Sequence, residues 1–329
     1  MLKHLAPVLC LFIITPLIAE YLLGNVPTTW IVLLPVLSLL YGSGAVLIRE
    51  LARKTGRGWP TIATLAFAYA VVEEAFATQS WFNPNFEGQR LLDYGYVEAL
   101  GTSPSWIVFV VILHVAWSIC TPIALTEVIF TKTRLEPWLS AKGICVVAGL
   151  FASSIAILMT HFIIKDQFVA SPMQFAASAS VAVALIVVAF VLFPPKRENS
   201  DAKISSGGLA DTPPPWSMGA LVLAVGSAFY MIQEFAPKAG IPAWITACLS
   251  LSLALGMLYF VTWSSRRSDW SDRHRFALAS GAVLVYCWWG FVIEVDLYGT
   301  NALPGRVLLV CASFMFLVLT RLRIRALNT

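Results

Sequence analysis

The stretch AFAYAVVEEAFATQSWFNPNF, residues 66–86, decides the fold. Taken back to Trp59, it is an apolar run that ends at the Asn83-Pro84 turn signal. At 1.5 Å per residue, about 20 such residues cross the hydrocarbon core of a bilayer. Two adjacent glutamates, Glu73 and Glu74, nevertheless lie within it. An ionisable group in lipid costs at least about 2.5–3.5 kcal/mol on insertion scales, so the pair needs a polar surrounding.

Outward from this stretch, comparable apolar runs fill the chain. The reading is ten spans, at approximately 5–23, 29–51, 59–81, 105–130, 143–164, 173–193, 216–237, 242–264, 276–297 and 304–322. Of the 329 residues, 58% are hydrophobic and 12% charged, and the mean hydropathy is +0.78. A soluble domain carries about 25% charged residues. Spans in lipid must satisfy their own backbone groups, so the expected fold is all-α, a polytopic membrane helical bundle. The short alternating segments of a β-barrel do not occur. The N-terminal run has signal-peptide character but no convincing cleavage site, so it is read as a retained first helix. All six cysteines fall inside apolar runs without metal or redox spacing and read as buried small hydrophobes.

The loops set the expected orientation. With ten spans, eighteen of the twenty-two Lys and Arg residues fall on the side of the termini. Only Arg90, Lys165, Lys238 and Arg306 fall on the other. That asymmetry predicts cytoplasmic termini and a bacterial inner-membrane location. The basic residues are spread over short loops, which argues against nucleic acid as a partner. The expected partners are the lipid bilayer and a membrane-associated peptide, lipid-linked or small-molecule substrate. The loop at 194–215, rich in Pro, Ser, Gly and charge, reads as a linker between helices 1–6 (residues 1–193) and helices 7–10 (residues 216–329). Glu20 to Trp30 echoes Glu234 to Trp244 in spacing, so helices 7–10 are a possible weak repeat of helices 1–4. In the loop at 82–104, residues 89–100 suggest a short interfacial helix.

Depth along each span groups the ionisable residues. Glu73 lies eight residues before Trp81 and His114 nine after Ser105, each about 12–13 Å from the same face of the membrane. His161, Glu20, Glu234 and Glu294 are shallower on that side, and Asp296 shallower still. A shared polar cavity opening to the outside is the expectation. Arg49, Glu50 and Glu127, near the opposite face, read as interfacial pairs or snorkelling groups. Glu73 and Glu74 should point about 100° apart, on two different stripes of one helix. Adjacent carboxylates in low dielectric suit a general acid or base, and equally a proton-coupling site.

The order Glu73-Glu74, His114, His161 resembles the CPBP family of intramembrane proteases, which includes CAAX prenyl endopeptidases and bacteriocin-processing proteins. That family carries EExxxR, FxxxH and HxxxN or HxxxD on successive membrane helices. The resemblance, which covers residues 73–165, implies that Glu73 or Glu74 activates water with His114 and that His161 faces the oxyanion. It also implies metal-independent hydrolysis with no cofactor. The family's Arg is Thr78 here, its Phe is Val110, and the position four after His161 is Lys165. The remainder resembles uncharacterised bacterial multi-pass membrane proteins. A proton- or cation-coupled secondary transporter and a non-catalytic membrane partner remain open alternatives. Glu20, Glu234, Glu294 and Asp296 are the further cavity candidates.

Overall fold

The computed structural model describes residues 2–195 and 212–326. Most of the expected linker, residues 196–211, lies outside the described residues. Among the described residues, ten helices are long and apolar enough to cross a membrane. They are α1 (Leu5–Leu22), α2 (Thr28–Lys54), α3 (Trp59–Ala77), α4 (Pro104–Ile129), α5 (Ala141–Asp166), α6 (Pro172–Val191), α7 (Pro215–Lys238), α8 (Ala243–Ser265), α9 (Asp272–Tyr298) and α10 (Thr300–Ala326). Each coincides with a span read from the sequence. Among the described residues the only extended pairing is an isolated bridge, Val97 to Thr102.

Helix starts follow from local chemistry. Ser103, Ser140 and Ser171 each accept a hydrogen bond from a backbone N–H of the first turn of α4, α5 and α6. Proline occupies the first turn of α3, α4, α6 and α7, where no intrahelical donor is needed.

The bundle has two tiers. In α1–α4 and α9, 50–67% of the most apolar window is buried, against 11–22% in α5–α8 and α10. Five inner helices are thus wrapped by five whose outer faces carry residues such as Val183, Leu258 and Leu308. Lipid is as apolar as leucine, so these helices associate by close packing rather than by a hydrophobic drive. Gly44 on α2 is one such contact. A Cβ there would lie 2.4 Å from the Tyr69 ring on α3.

The first four spans share a departure from regular helix. Each contains a π-helical turn: Leu17–Leu22 in α1, Ser38–Gly42 in α2, Glu73–Ala77 in α3 and His114–Cys120 in α4. The Thr78 N–H reaches the Glu73 carbonyl at 3.0 Å, a bond that spans five residues instead of four. Among the described residues α5–α10 have no such turn.

Two expectations are corrected. Residues 89–100 form no helix but a series of turns, because Gly95 (φ 83°) and Gly101 (φ 61°) take left-handed conformations. Asn83 Nδ2 donates to Asp166 Oδ2 at 2.8 Å and fastens this loop to the end of α5. Arg49, Glu50 and Glu127 are pairs, as read, but are fully buried rather than interfacial. Arg53 donates to both Glu127 carboxylate oxygens at 2.7 and 2.6 Å. Arg49 contacts both glutamates, donates to the Arg134 carbonyl at 2.7 Å and lies 3.4 Å above the Trp138 ring. Glu50 accepts from the Leu139 N–H at 2.7 Å. Two cations and two anions close a network that folds the 130–140 loop under the bundle.

Candidate functional site

The π-helical turns converge. His114 opens the turn in α4, and its Nε2 lies 2.7 Å from Glu74 Oε1 and 3.0 Å from Glu73 Oε2. Both carboxylates therefore reach one nitrogen, which corrects the expectation of two separate stripes. The expectation assumed regular α-helix. The widened turn begins at Glu73, and from it both side chains reach His114 Nε2. The Thr78 hydroxyl donates to the same Glu73 carbonyl at 3.2 Å, beside the backbone N–H of Thr78. Thr78 stands where the CPBP pattern has Arg, so its role here is local to the backbone.

Further hydrogen bonds hold the three groups. His114 Nδ1 is 3.1 Å from Ser118 Oγ, one turn along α4. The Ser80 hydroxyl donates to Glu74 Oε2, the oxygen that faces away from His114, and Trp106 Nε1 donates to Ser80 at 3.2 Å. Tyr41, from the π-helical turn of α2, stacks on His114 with centroids 6.2 Å apart and donates its hydroxyl to Glu20. Glu20 in turn lies in the π-helical turn of α1. Tyr69 meets the imidazole edge-on at 6.1 Å, backed by Phe151 of α5. Glu73, Glu74 and His114 are 3%, 6% and 4% exposed. Among the described residues no Lys or Arg is a hydrogen-bond or ion-pair partner of these three groups.

The structure thus gathers Glu20, Glu73, Glu74 and His114. The other expected residues lie elsewhere. His161 is exposed on α5 beside Phe162, which removes it from the oxyanion position that the resemblance implied. Its helix is peripheral. Glu234 pairs with Lys238 one turn along α7. Asp296 is exposed on α9. Glu294 is fully buried but faces Arg306, 3.7 Å away. Trp81, the depth marker for Glu73, is buried.

Sequence reasoning missed Tyr41 as a member of the cluster, and it missed Arg306. Arg306, also fully buried, donates to the carbonyl oxygens of Tyr21 (2.9 Å), Leu22 and Tyr286. It gathers the end of α1, just beyond Glu20, against α9. The signal was a lone basic residue on the sparsely charged side, two positions into an apolar run.

Chemically, the cluster can exchange protons between two carboxylates and an imidazole. Glu73, Glu74 and His114 also offer one metal-ligand atom each, all within 4.8 Å of one another.

A family model described as an uncharacterized membrane protein family matches residues 9–328. No curated protein and no solved structure matches the chain.

Proposed function

We infer that this chain, which belongs to the uncharacterized membrane protein family matched above, hydrolyses an amide bond within the bilayer, with Glu73, Glu74 and His114 as its reaction centre. The observation that carries this reading is the position of His114 Nε2, within hydrogen-bond reach of both buried carboxylates. A general base must lie within hydrogen-bond reach, directly or through one water, of the proton it takes. Ser80 and Ser118 orient Glu74 and His114, whereas Glu73 Oε2 meets His114 Nε2 at 3.0 Å and has no further hydrogen-bond partner among the described residues. Glu73 is therefore assigned as the base.

In this scheme Glu73 takes a proton from water as the water oxygen bonds to the substrate carbonyl carbon. The carbonyl electron pair moves onto its oxygen. The Tyr69 hydroxyl, buried and without a partner among the described residues, is assigned as the donor to that oxyanion in place of His161. Collapse breaks the C–N bond, and the leaving nitrogen takes the proton from Glu73 through His114. The substrate is a membrane-inserted peptide, as in the CPBP family that the Glu-Glu and His order resembles. The charge asymmetry of the loops supports cytoplasmic termini in a bacterial inner membrane, with the centre in the outer half.

The test compares new protein N-termini in membranes of cells that carry the wild-type chain, Glu73→Gln or Glu74→Gln. Cleavage sites that appear with the wild type and vanish in both variants are expected. Identical termini in all three would overturn the reading.

Proton-coupled transport is a second reading, favoured by the four interrupted helices that meet at the acids. Transporters place coupling sites where membrane helices are broken. It predicts that proteoliposomes of the wild type, but not of Glu73→Gln, carry proton flux driven by a solute gradient.

A further inference from the structure

We propose that Glu73 Oε2, Glu74 Oε1 and His114 Nε2 bind one divalent transition-metal cation, of which zinc fits best. The proposal concerns the same site but replaces the proton relay above: with the ion bound, Glu73 Oε2 and His114 Nε2 are ligands and do not serve as base and proton carrier. It rests on the cluster being functional, but not on the reaction being hydrolysis, and it departs from the metal-free expectation drawn from the sequence.

Geometry is the first argument. The three ligand atoms come from adjacent helices and lie within 4.8 Å of one another, with His114 Nε2 2.7 and 3.0 Å from the two oxygens. Tetrahedral zinc holds N and O ligands at about 2.0–2.2 Å, which sets them roughly 3.3 Å apart. A few tenths of an ångström of movement brings the two N–O distances, 2.7 and 3.0 Å, to that spacing.

Charge is the second. Two carboxylates and a neutral imidazole sum to the opposite of a divalent cation, so the loaded site adds no net charge to an apolar interior. Without a cation the same groups have, among the described residues, no Lys or Arg partner to offset them.

The third is the supporting shell. Metal-binding histidines usually bond through their other ring nitrogen, which fixes the tautomer and orientation. His114 Nδ1 does so with Ser118, and the second oxygen of Glu74 does so with Ser80, itself held by Trp106. Glu73 Oε2 is the independent indication. It is a buried carboxylate oxygen that meets His114 Nε2 at 3.0 Å and, unlike Glu74 Oε2, has no further hydrogen-bond donor among the described residues. Three protein ligands leave a fourth position open, as in catalytic rather than structural zinc sites. One histidine with two carboxylates is a hard-to-borderline donor set, which suits zinc and manganese and does not suit copper(I).

The experiment uses the full chain purified in detergent, stripped with a chelator and dialysed against zinc. Metal per chain is then measured by mass spectrometry. One zinc per wild-type chain is expected, with at least a tenfold loss of affinity in Glu73→Gln and His114→Gln. Glu234→Gln, at the exposed Lys238 pair, retains the metal. If a variant fails to fold, cobalt substitution in the wild type decides by its visible absorption. A tetrahedral spectrum supports the site, and an aquo-ion spectrum overturns it. No zinc in the wild type, or equal zinc in all folded variants, overturns it as well. Zinc binding without substrate cleavage would sink the hydrolase and leave this site standing. Cleavage by fully chelated protein would do the reverse.

Discussion

Ser118 decides which face of His114 is available. With Nδ1 engaged at 3.1 Å, the other ring nitrogen is the one presented to Glu73 and Glu74. Removing such an orienting partner typically costs 10–100-fold in metal affinity or activity. Ser118→Ala should therefore lose about 10–100-fold in activity or zinc affinity, while Ser118→Thr restores most of it. Both are read by titration of the purified protein. Tyr69→Phe separates binding from chemistry. The hydroxyl has no partner in the resting site, so its loss should leave KM and thermal stability unchanged. If it serves the oxyanion, kcat should fall by about 10²–10³. Arg306 lies on a different axis. It is the ion-pair partner of buried Glu294, and it satisfies three backbone carbonyls. Breaking a buried pair costs about 3–5 kcal/mol, so Arg306→Ala should lower the unfolding temperature sharply. Arg306→Ala with Glu294→Gln should recover part of that loss. The residue types at the site were legible in the sequence, because each charge in an apolar run demands a partner. The partners were not, since Tyr41 and Ser118 look like any polar residue on a helix-facing stripe.

A π-helical turn leaves little trace in composition, which limits what could be read at the level of the element. The sequence specified helix over residues 59–81 and gave no sign that one turn within it is widened. Hydropathy reads length and apolarity, and both are the same for four- and five-residue hydrogen bonds. The consequence for the site was large. On a regular helix Glu73 and Glu74 diverge by about 100°, yet both reach His114 here. The turn depends on one extra residue, so shortening it is a direct test. Deletion of Ala75 should restore α-helical register between the Glu pair and the segment that carries Ser80. Glu74 then cannot keep both His114 and Ser80, and Gln79 loses its bond to the Ala170 N–H, now 2.8 Å. Zinc binding or cleavage should be lost. Membrane insertion should persist, because α3 keeps enough apolar residues to span. Loss of insertion would indicate that the turn serves folding rather than the site.

At the scale of the molecule, the ten spans were legible because each is a long apolar run bounded by charged or turn-forming loops. The division into five inner and five outer helices was not. Window hydropathy runs from 1.2 to 2.3 and does not separate the tiers: α2 at 2.3 is half buried, and α6 at the same value only 17%. In a bilayer an outward face and an inward face can be equally apolar, so burial cannot be read from hydropathy. Charge does carry long-range information. Eighteen Lys and Arg residues fall on the side of the termini and four on the other. Some of these serve packing in the folded protein: Arg49, Arg53 and Arg306 are buried. Setting them aside leaves sixteen against three, so the asymmetry does not depend on residues with a structural role. Orientation is fixed during insertion by basic residues near the span ends, before the bundle packs. The expected outcome is then specific. A fluorescent-protein fusion after residue 326 should glow, as it folds only in the cytoplasm. An alkaline phosphatase fusion within the 82–104 loop should be active, as it folds only outside. The reverse pattern would place the Glu73–Glu74–His114 centre in the inner half of the membrane and direct the search for a substrate to the cytoplasmic leaflet. An odd number of spans would separate the termini and give a mixed pattern. The short connection at 299 between α9 and α10 argues against that, because two long helices joined so tightly must run antiparallel.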